Sequence, residues 1–341
     1  MPKVAMYQGD CLDVMRGFRS ASVDLVVTSP PYEAARTYGV GFKLSGREWV
    51  RWAADRYMEC LRVSRGLVVW VVEGQTNGYE WSATPMELAV EIKRRGAVLR
   101  KPPVYARIGI PGSGGPDWFR NDYEFCICAT ARKGKLRWSD NKACGHPPKW
   151  GPGGEMSNRL SDGARVNQWG HSIDSGATVV DADGVVRSKG RRPSHRSATM
   201  RVARGVGPTG EQLPNRTVPF PAIANPGNVI RCVVGGGAMG DKFAHENEAP
   251  FTEFVAERFI RSFCKPGGTV LDPFGGSGTV GKVAAMHGRS AVLIDLRPGK
   301  GGLDTARRRI EAWNAQNPEK QAGIVWPSRD SKNASRVADA T

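Results

Sequence analysis

Thr269-Val270-Leu271-Asp272-Pro273-Phe274-Gly275-Gly276-Ser277-Gly278-Thr279 runs from a short apolar strand through an acid and a glycine-rich turn into a helix. Glycines in such a turn let the backbone bend sharply and approach a ligand with no Cβ in the way. The next strand, Ser290–Ile294, ends at Asp295, 23 residues after Asp272. An open α/β sheet places an acid there to accept hydrogen bonds from ribose hydroxyls. No Gly-Lys-Ser/Thr follows the glycines and an acid precedes them, which disfavours a phosphate loop. An acid at 272 suits a ligand that carries an ammonium group.

The flanking pattern extends this α/β reading. Helices are predicted at 279–287 and 303–314, and at 251–264, where Phe251, Phe254, Val255, Phe259, Ile260 and Phe263 share a face. Residues 1–130 alternate strands and helices. Val23–Thr28 is a strand, 47–65 a helix with Val50, Ala53, Tyr57 and Leu61 on one face and Met58 on its flank. Leu67–Val72 is a buried strand, 84–96 a helix, and Tyr123–Thr130 a strand with Cys126 and Cys128 on one side. Apolar strands between helices predict a mostly parallel sheet covered by helices. The polar tail beyond 315 is predicted to fray.

From 132 to 225 periodicity fades and Gly, Arg, Ser and Pro dominate. Residues 132–216 hold 16 Lys and Arg against 7 Asp and Glu, more than half of the chain's +16 in a quarter of its 341 residues. So strong a positive field attracts polyanions, nucleic acid first among them. A hairpin is legible at 179–186 around a Gly-containing turn. Trp150, Trp169 and Phe220 argue against a purely solvated linker. Seven cysteines at irregular spacing make no disulfide framework. Cys144 and His146 lack a second pair at metal-ligand spacing, so no metal is expected. The N-terminus lacks a signal-peptide run and no apolar stretch spans a bilayer, so the expectation is a soluble cytoplasmic protein with no membrane partner.

A second motif, Thr28-Ser29-Pro30-Pro31-Tyr32, closes the 23–28 strand. Its prolines fix φ and make a rigid turn whose carbonyls are expected to project into a cleft. A hydroxyl and carbonyls can accept hydrogen bonds from an exocyclic NH2. That grip matters because the amine lone pair is delocalised into its ring and is a poor nucleophile. Holding both N–H groups pulls the nitrogen toward tetrahedral geometry. Tyr32 offers a face on which an extrahelical base could stack.

Together the two motifs resemble the amino-methyltransferases of DNA, which make N4-methylcytosine or N6-methyladenine. The Ser-Pro-Pro-Tyr motif precedes the Gly-rich one by about 240 residues, with the basic stretch between. That order is similar to the circularly permuted beta group of the family. The resemblance implies a Rossmann-like methyltransferase sheet with an inserted irregular target-recognition region. It divides the chain into a catalytic half (1–131), a recognition insertion (132–225), a cofactor half (226–314) and a flexible tail (315–341). The implied cofactor is S-adenosyl-L-methionine, with no metal. Ser29, Pro30, Pro31 and Tyr32 match the catalytic motif. Asp10 and Cys11 match the element that meets the cofactor's adenine, Asp295 the ribose acid, and Asp272, Phe274, Gly275, Gly276, Ser277, Gly278 and Thr279 the cofactor turn. Pro250 and Phe251, after His245, match the segment before the helix that closes over the methionine end, where the family usually has Pro sooner after the His. Asn121-Asp122-Tyr123-Glu124 is similar to a family strand start.

Ser at the motif's first position points to cytosine N4 as target, with adenine N6 the alternative. The expected partner is double-stranded DNA gripped by the basic insertion, the target base being flipped beside Ser29–Tyr32, with residues 33–39 a mobile loop near it. A cognate restriction endonuclease and a homodimer are left open, as is the host cell: bacterial, archaeal or phage-infected. An RNA or protein methyltransferase with an Asn-Pro-Pro-Tyr-type motif remains a rival, although those families put the cofactor motif first. A non-catalytic binding module would leave both motifs idle, and little chain is left over for a nuclease domain.

Overall fold

The computed structural model describes residues 1–34, 40–109, 114–147, 222–234, 241–246 and 251–327, and the backbone of four further short strands. Two compact units form: Met1–Cys144 with Gly227–Thr341, and Gly145–Pro226. The first unit carries a ten-stranded sheet. Its strands are β1 (Lys3–Gln8), β2 (Val23–Thr28), β3 (Ser64–Val72), β6 (Val98–Leu99), β7 (Val104–Ile108), β8 (Tyr123–Thr130), β13 (Val229–Val233), β14 (Thr269–Asp272), β15 (Ser290–Asp295) and β16 (Gly323–Val325). A small hairpin of β4 (Thr76–Asn77) and β5 (Glu80–Trp81) follows β3. The sheet order is β13-β7-β8-β3-β2-β14-β15-β1-β16, with β6 beside β8. Only β8 runs against the others.

Both faces are buried at the centre of the sheet, which explains the near-continuous apolar runs of β2, β3, β14 and β15. Ala5, Val26, Val68, Trp70 and Val72 face one side. There they meet α1 (Cys11–Arg16), α2 (Gly46–Val63) and α3 (Thr84–Arg94), through Met15, Trp49, Ala53, Tyr57, Leu88 and Ile92. Val4, Met6, Leu25, Val27, Val69 and Val71 face the other, against α4 (Glu253–Phe263), α5 (Thr279–Met286) and α6 (Leu303–Gln316). Cys126 and Cys128 share this second face. No helix among the described residues is long and apolar enough to cross a membrane.

The predicted fraying beyond 315 is corrected over its first part. Asn314 donates to Ala322 O at 2.9 Å and accepts from Ala322 N at 2.8 Å, folding the chain back. β16 then pairs in parallel with β1, Val4 against Ile324. The polar composition hid Ile324 and Val325, three residues being enough for a short edge strand. Residues 328–341 lie outside the described ones.

In the second unit β9 (Thr178–Val180) pairs antiparallel with β10 (Val186–Ser188), Val180 opposite Val186, where the hairpin is predicted. β11 (Met200–Ala203) pairs with β12 (Arg216–Pro219) in the same sense. The turn at 181–185, Trp150, Trp169 and Phe220 lie outside the described residues.

Candidate active site

β2 and β14 are neighbours, Leu25 beside Val270 and Val26 beside Leu271. The chain continues from β2 to β3 on one side and from β14 to β15 on the other. Their two following loops therefore leave the same sheet edge at the reversal of strand order, where open α/β sheets hold ligands. Thr28 ties them directly, its hydroxyl donating to Asp272 Oδ1 at 2.6 Å. Phe274 N donates to the same oxygen at 3.1 Å. Asp272 is enclosed, and burial pushes its carboxyl up to about 7 against the pull of these two donors, with the charge of Asp295 adding to the rise. Among the described residues no cation pairs with it. A buried acid facing a glycine-rich turn with no protein cation fits a ligand that brings its own positive charge.

The turn itself is tightly held. Gly275 N donates to Ile294 O at 2.8 Å, and Gly276 N to Asp295 Oδ2 at 2.8 Å. Gly278 has φ +77°, and a Cβ there would lie 2.5 Å from Ala306 Cβ, so only glycine fits. Asp295 also accepts from Arg297 N at 2.8 Å and from its guanidinium at 3.1 Å. The hydroxyls of Ser277 and Thr279 turn inward to Arg309, at 3.2 and 2.9 Å. Arg309 is wholly buried and pairs with Asp241 at 2.9 Å and Glu253 at 2.7 Å. Lys282 pairs with the same two acids at 2.7 and 2.8 Å. The signal for Arg309 was present: it sits on the apolar face of α6 with Leu303, Ala306, Ile310 and Trp313.

Asp10 stands at the end of β1, next to β15, so it shares this edge with Asp295. It caps α1, accepting from Leu12 N at 2.8 Å, and pairs with Arg56 at 2.6 Å. Arg56 lies over the Trp52 ring at 4.5 Å, and Trp52 packs on Phe274 at 5.6 Å. Cys11 is buried at the start of α1, its thiol pushed up to about 12 by burial, hence neutral. Arg56 and Trp52 went unread in the sequence because their partners lie far off in it. Phe251 is half-buried against the core, and Pro250 lies outside the described residues.

In the β2 loop, Ser29 Oγ donates to Tyr32 Oη at 3.2 Å. Tyr32 Oη donates to Glu124 Oε2 at 2.5 Å, and Arg107 reaches Glu124 Oε1 at 3.1 Å. Two expectations need correction here. The Pro31 carbonyl does not project freely but accepts from Trp49 Nε1 at 2.9 Å. Glu33 and Ala34 are held rather than mobile. Glu33 accepts from Gly46 N at 2.5 Å and Thr84 Oγ1 at 2.9 Å, and Ala34 N donates to Leu44 O at 3.0 Å. Residues 35–39 lie outside the described ones.

Fold and loops define a nucleoside-cofactor enzyme with a second motif at its switch point, and residues 23–300 match the DNA methylase family of N6 and N4 amino-methyltransferases. The chain belongs to that family, whose members are S-adenosylmethionine-dependent methyltransferases of DNA. It is 26% identical over 296 residues to the orphan methyltransferase M.BamHII of Bacillus amyloliquefaciens, covering 85% of this chain and 89% of that one. The fold is similar to that of the cytosine-N4-specific PvuII DNA methyltransferase, with TM-score 0.57, 15% identity and 95% of each chain covered. It is also similar to a Thermus thermophilus protein assigned as a DNA modification methylase and complexed with S-adenosyl-L-methionine. There the TM-score is 0.51 and the identity 17%, over 94% of this chain and 99% of that one.

Proposed function

We propose that the protein methylates cytosine N4 in double-stranded DNA, on a base flipped into the cleft between the Ser29–Tyr32 loop and the Gly275–Gly278 turn. The observation that carries this reading is the Thr28–Asp272 bond of 2.6 Å, which holds the two loops side by side. S-adenosylmethionine supplies a methyl group on a positively charged sulfur. Asp272 would meet its ammonium group, Asp295 its ribose, and Phe274 with Asp10 and Cys11 its adenine end; Phe251 and Pro250 would border the methionine end. Gly275, Gly276 and Gly278 let the backbone approach, while Ser277 and Thr279 hold the turn through Arg309. Ser29 commits its proton to Tyr32, so its oxygen lone pairs are left to accept an N–H of the target amine. Pro30 and Pro31 stiffen that loop, and the face of Tyr32 would stack on the base. A neutral serine in this role suits cytosine N4, and adenine N6 is the second reading. The basic stretch 132–225 would grip phosphates and read base edges. A homodimer or a cognate endonuclease would be a further partner.

The test is to incubate the protein with unmodified DNA and S-adenosylmethionine, digest to nucleosides and analyse by mass spectrometry. N4-methyldeoxycytidine is the expected product. N6-methyldeoxyadenosine would overturn the choice of base, and no methylated nucleoside on DNA of varied sequence would overturn the assignment.

A further inference from the structure

We propose that Glu124 is a positioning residue for Tyr32 and the terminus of a proton relay, Ser29 to Tyr32 to Glu124, that takes up the proton given off by the target amine. The inference rests on the roles proposed above for Ser29 and Tyr32 and extends them to Glu124 through its bond to Tyr32.

The geometry is a continuous line of donors. Ser29 Oγ donates to Tyr32 Oη at 3.2 Å, and Tyr32 Oη to Glu124 Oε2 at 2.5 Å. A carboxylate is an acceptor only, so it fixes the direction of every bond in the line. Each hydroxyl gives its hydrogen to the next oxygen in the line, which leaves the Ser29 oxygen as an acceptor. The second Glu124 oxygen is held by Arg107 at 3.1 Å, which stops the carboxylate from rotating out of line. Arg107 is itself braced, its Nη2 donating to Asn121 O at 3.0 Å. Glu124 is 8% exposed, so little water competes with it as acceptor.

Such a sink answers a need of the chemistry. When the amine lone pair forms the new N–C bond, the electron pair of the broken S–C bond stays on sulfur. The nitrogen is then left with one proton too many. An N–H bond breaks toward Ser29 Oγ as the Ser29 proton moves to Tyr32 Oη and the Tyr32 proton to Glu124 Oε2. The sum is one N–H bond lost and one O–H bond gained on Glu124, with both hydroxyls intact. Return of the proton to water on product release resets the line.

The groups facing Glu124 tune it for this use. Arg107 on β7 and the Tyr32 hydroxyl favour the carboxylate, while burial, the largest influence, pushes its pKa above the ordinary range. Tyr105 of β7 pairs directly opposite it, and Cys126 follows two residues along β8. Glu73, at the end of β3, comes opposite Glu124 by the Val72–Phe125 register and is itself pushed up to about 7 by burial. As pH falls, Glu124 takes a proton from solvent, and the relay loses its acceptor.

The experiment is single-turnover methylation of DNA by the full chain across the acidic to neutral range, with Glu124→Gln and Tyr32→Phe beside the wild type. The amide keeps an acceptor for Tyr32 and cannot take the proton. Glu124→Gln should lose about 10²–10⁴-fold in rate, the span of general acid–base contributions, while cofactor binding by calorimetry stays unchanged. The wild-type rate should fall on acidification and the Gln variant's profile should be flat. Tyr32→Phe should lose as much, and the double variant should be no slower than the worse single one, as expected for members of one line. Glu124→Asp should restore part of the rate together with its acid limb. A Gln variant within about threefold of wild type, or one that keeps the acid limb, would overturn the relay while leaving the methyltransferase reading in place. A wild-type protein inert on all DNA would overturn both.

Discussion

Replacing Arg309 by Met tests whether the buried charge cluster behind the glycine-rich turn is structural. The guanidinium is wholly buried and reaches Asp241, Glu253, Ser277 and Thr279. Removing one member of a buried ion cluster costs about 3–5 kcal/mol when its partners are left uncompensated. Here the lower end applies. Lys282 stays within 2.8 Å of both acids, whose side chains are 27% and 20% exposed and so partly hydrated. Methionine also refills most of the volume, which limits any cavity. The expected loss is about 3 kcal/mol, and at about 2 °C per kcal/mol for a protein of this size the midpoint should fall by about 6 °C. Thermal melts read this directly. The loss of the bonds to Ser277 and Thr279 should also weaken cofactor binding, measured by calorimetry. A midpoint within about 1 °C of wild type would refute the reasoning, because Lys282 alone would then be enough to neutralise the acids.

Three further substitutions probe the same edge. Gly278→Ala should cost about 2–4 kcal/mol in melts and impair cofactor binding, because φ is +77° and the new Cβ would sit 2.5 Å from Ala306 Cβ. Asp295→Ala should reduce cofactor affinity by about tenfold to a hundredfold in calorimetry, the worth of bonds to a charged acceptor, and unaltered affinity would remove Asp295 from the site. Asp272→Asn should separate stability from binding. The Asp272 carboxyl is raised from 3.8 to about 7, so the folded state holds its proton more tightly than the unfolded one. The Asp272 contribution to stability is therefore fully present below about pH 4 and is lost as pH rises from about 4 to 7, by at most about 4 kcal/mol. The Asn variant escapes that loss and should melt higher than wild type at pH 8 without ligand, yet bind cofactor more weakly. A lower melting point there would contradict the account of Asp272.

What could be read in the sequence was whatever depends on neighbours in the chain. Val23–Thr28, Tyr123–Thr130 and the helix carrying Val50, Ala53, Tyr57 and Leu61 follow from periodicity, and the structure has them at those places. The two motif loops meet because β2 and β14 pair. That pairing follows from a resemblance in motif order rather than from periodicity. Side-chain partnerships across the sheet were not legible. Pro31 O to Trp49, Asp10 to Arg56 and Tyr32 to Glu124 join residues 18, 46 and 92 positions apart. Arg309 was legible in principle, as a cation on an otherwise apolar helical face, whereas its bonds to Ser277 and Thr279, 32 and 30 positions away, were not.

Charge ties these observations together. Glu73, Glu124, Asp272 and Asp295 all lie within a tenth of full burial, at the ends of β3, β14 and β15 and the start of the antiparallel β8. Those positions are one sheet edge. Burying four acids together is costly, and Glu73 and Asp272 register the cost as carboxyls pushed up to about 7. A sequence selected only for stability would not keep them, which supports the reading of this edge as the proposed site. Methyl transfer to an amine begins with a cationic donor and leaves a nitrogen with a surplus proton, and both are stabilised by negative charge in a dry cleft. The basic excess lies elsewhere in the sequence, between 132 and 216, where it suits a polyanion. On the function proposed above, a chain of net charge +16 with an acidic sheet edge would separate by sign the two tasks of holding DNA and moving a methyl group.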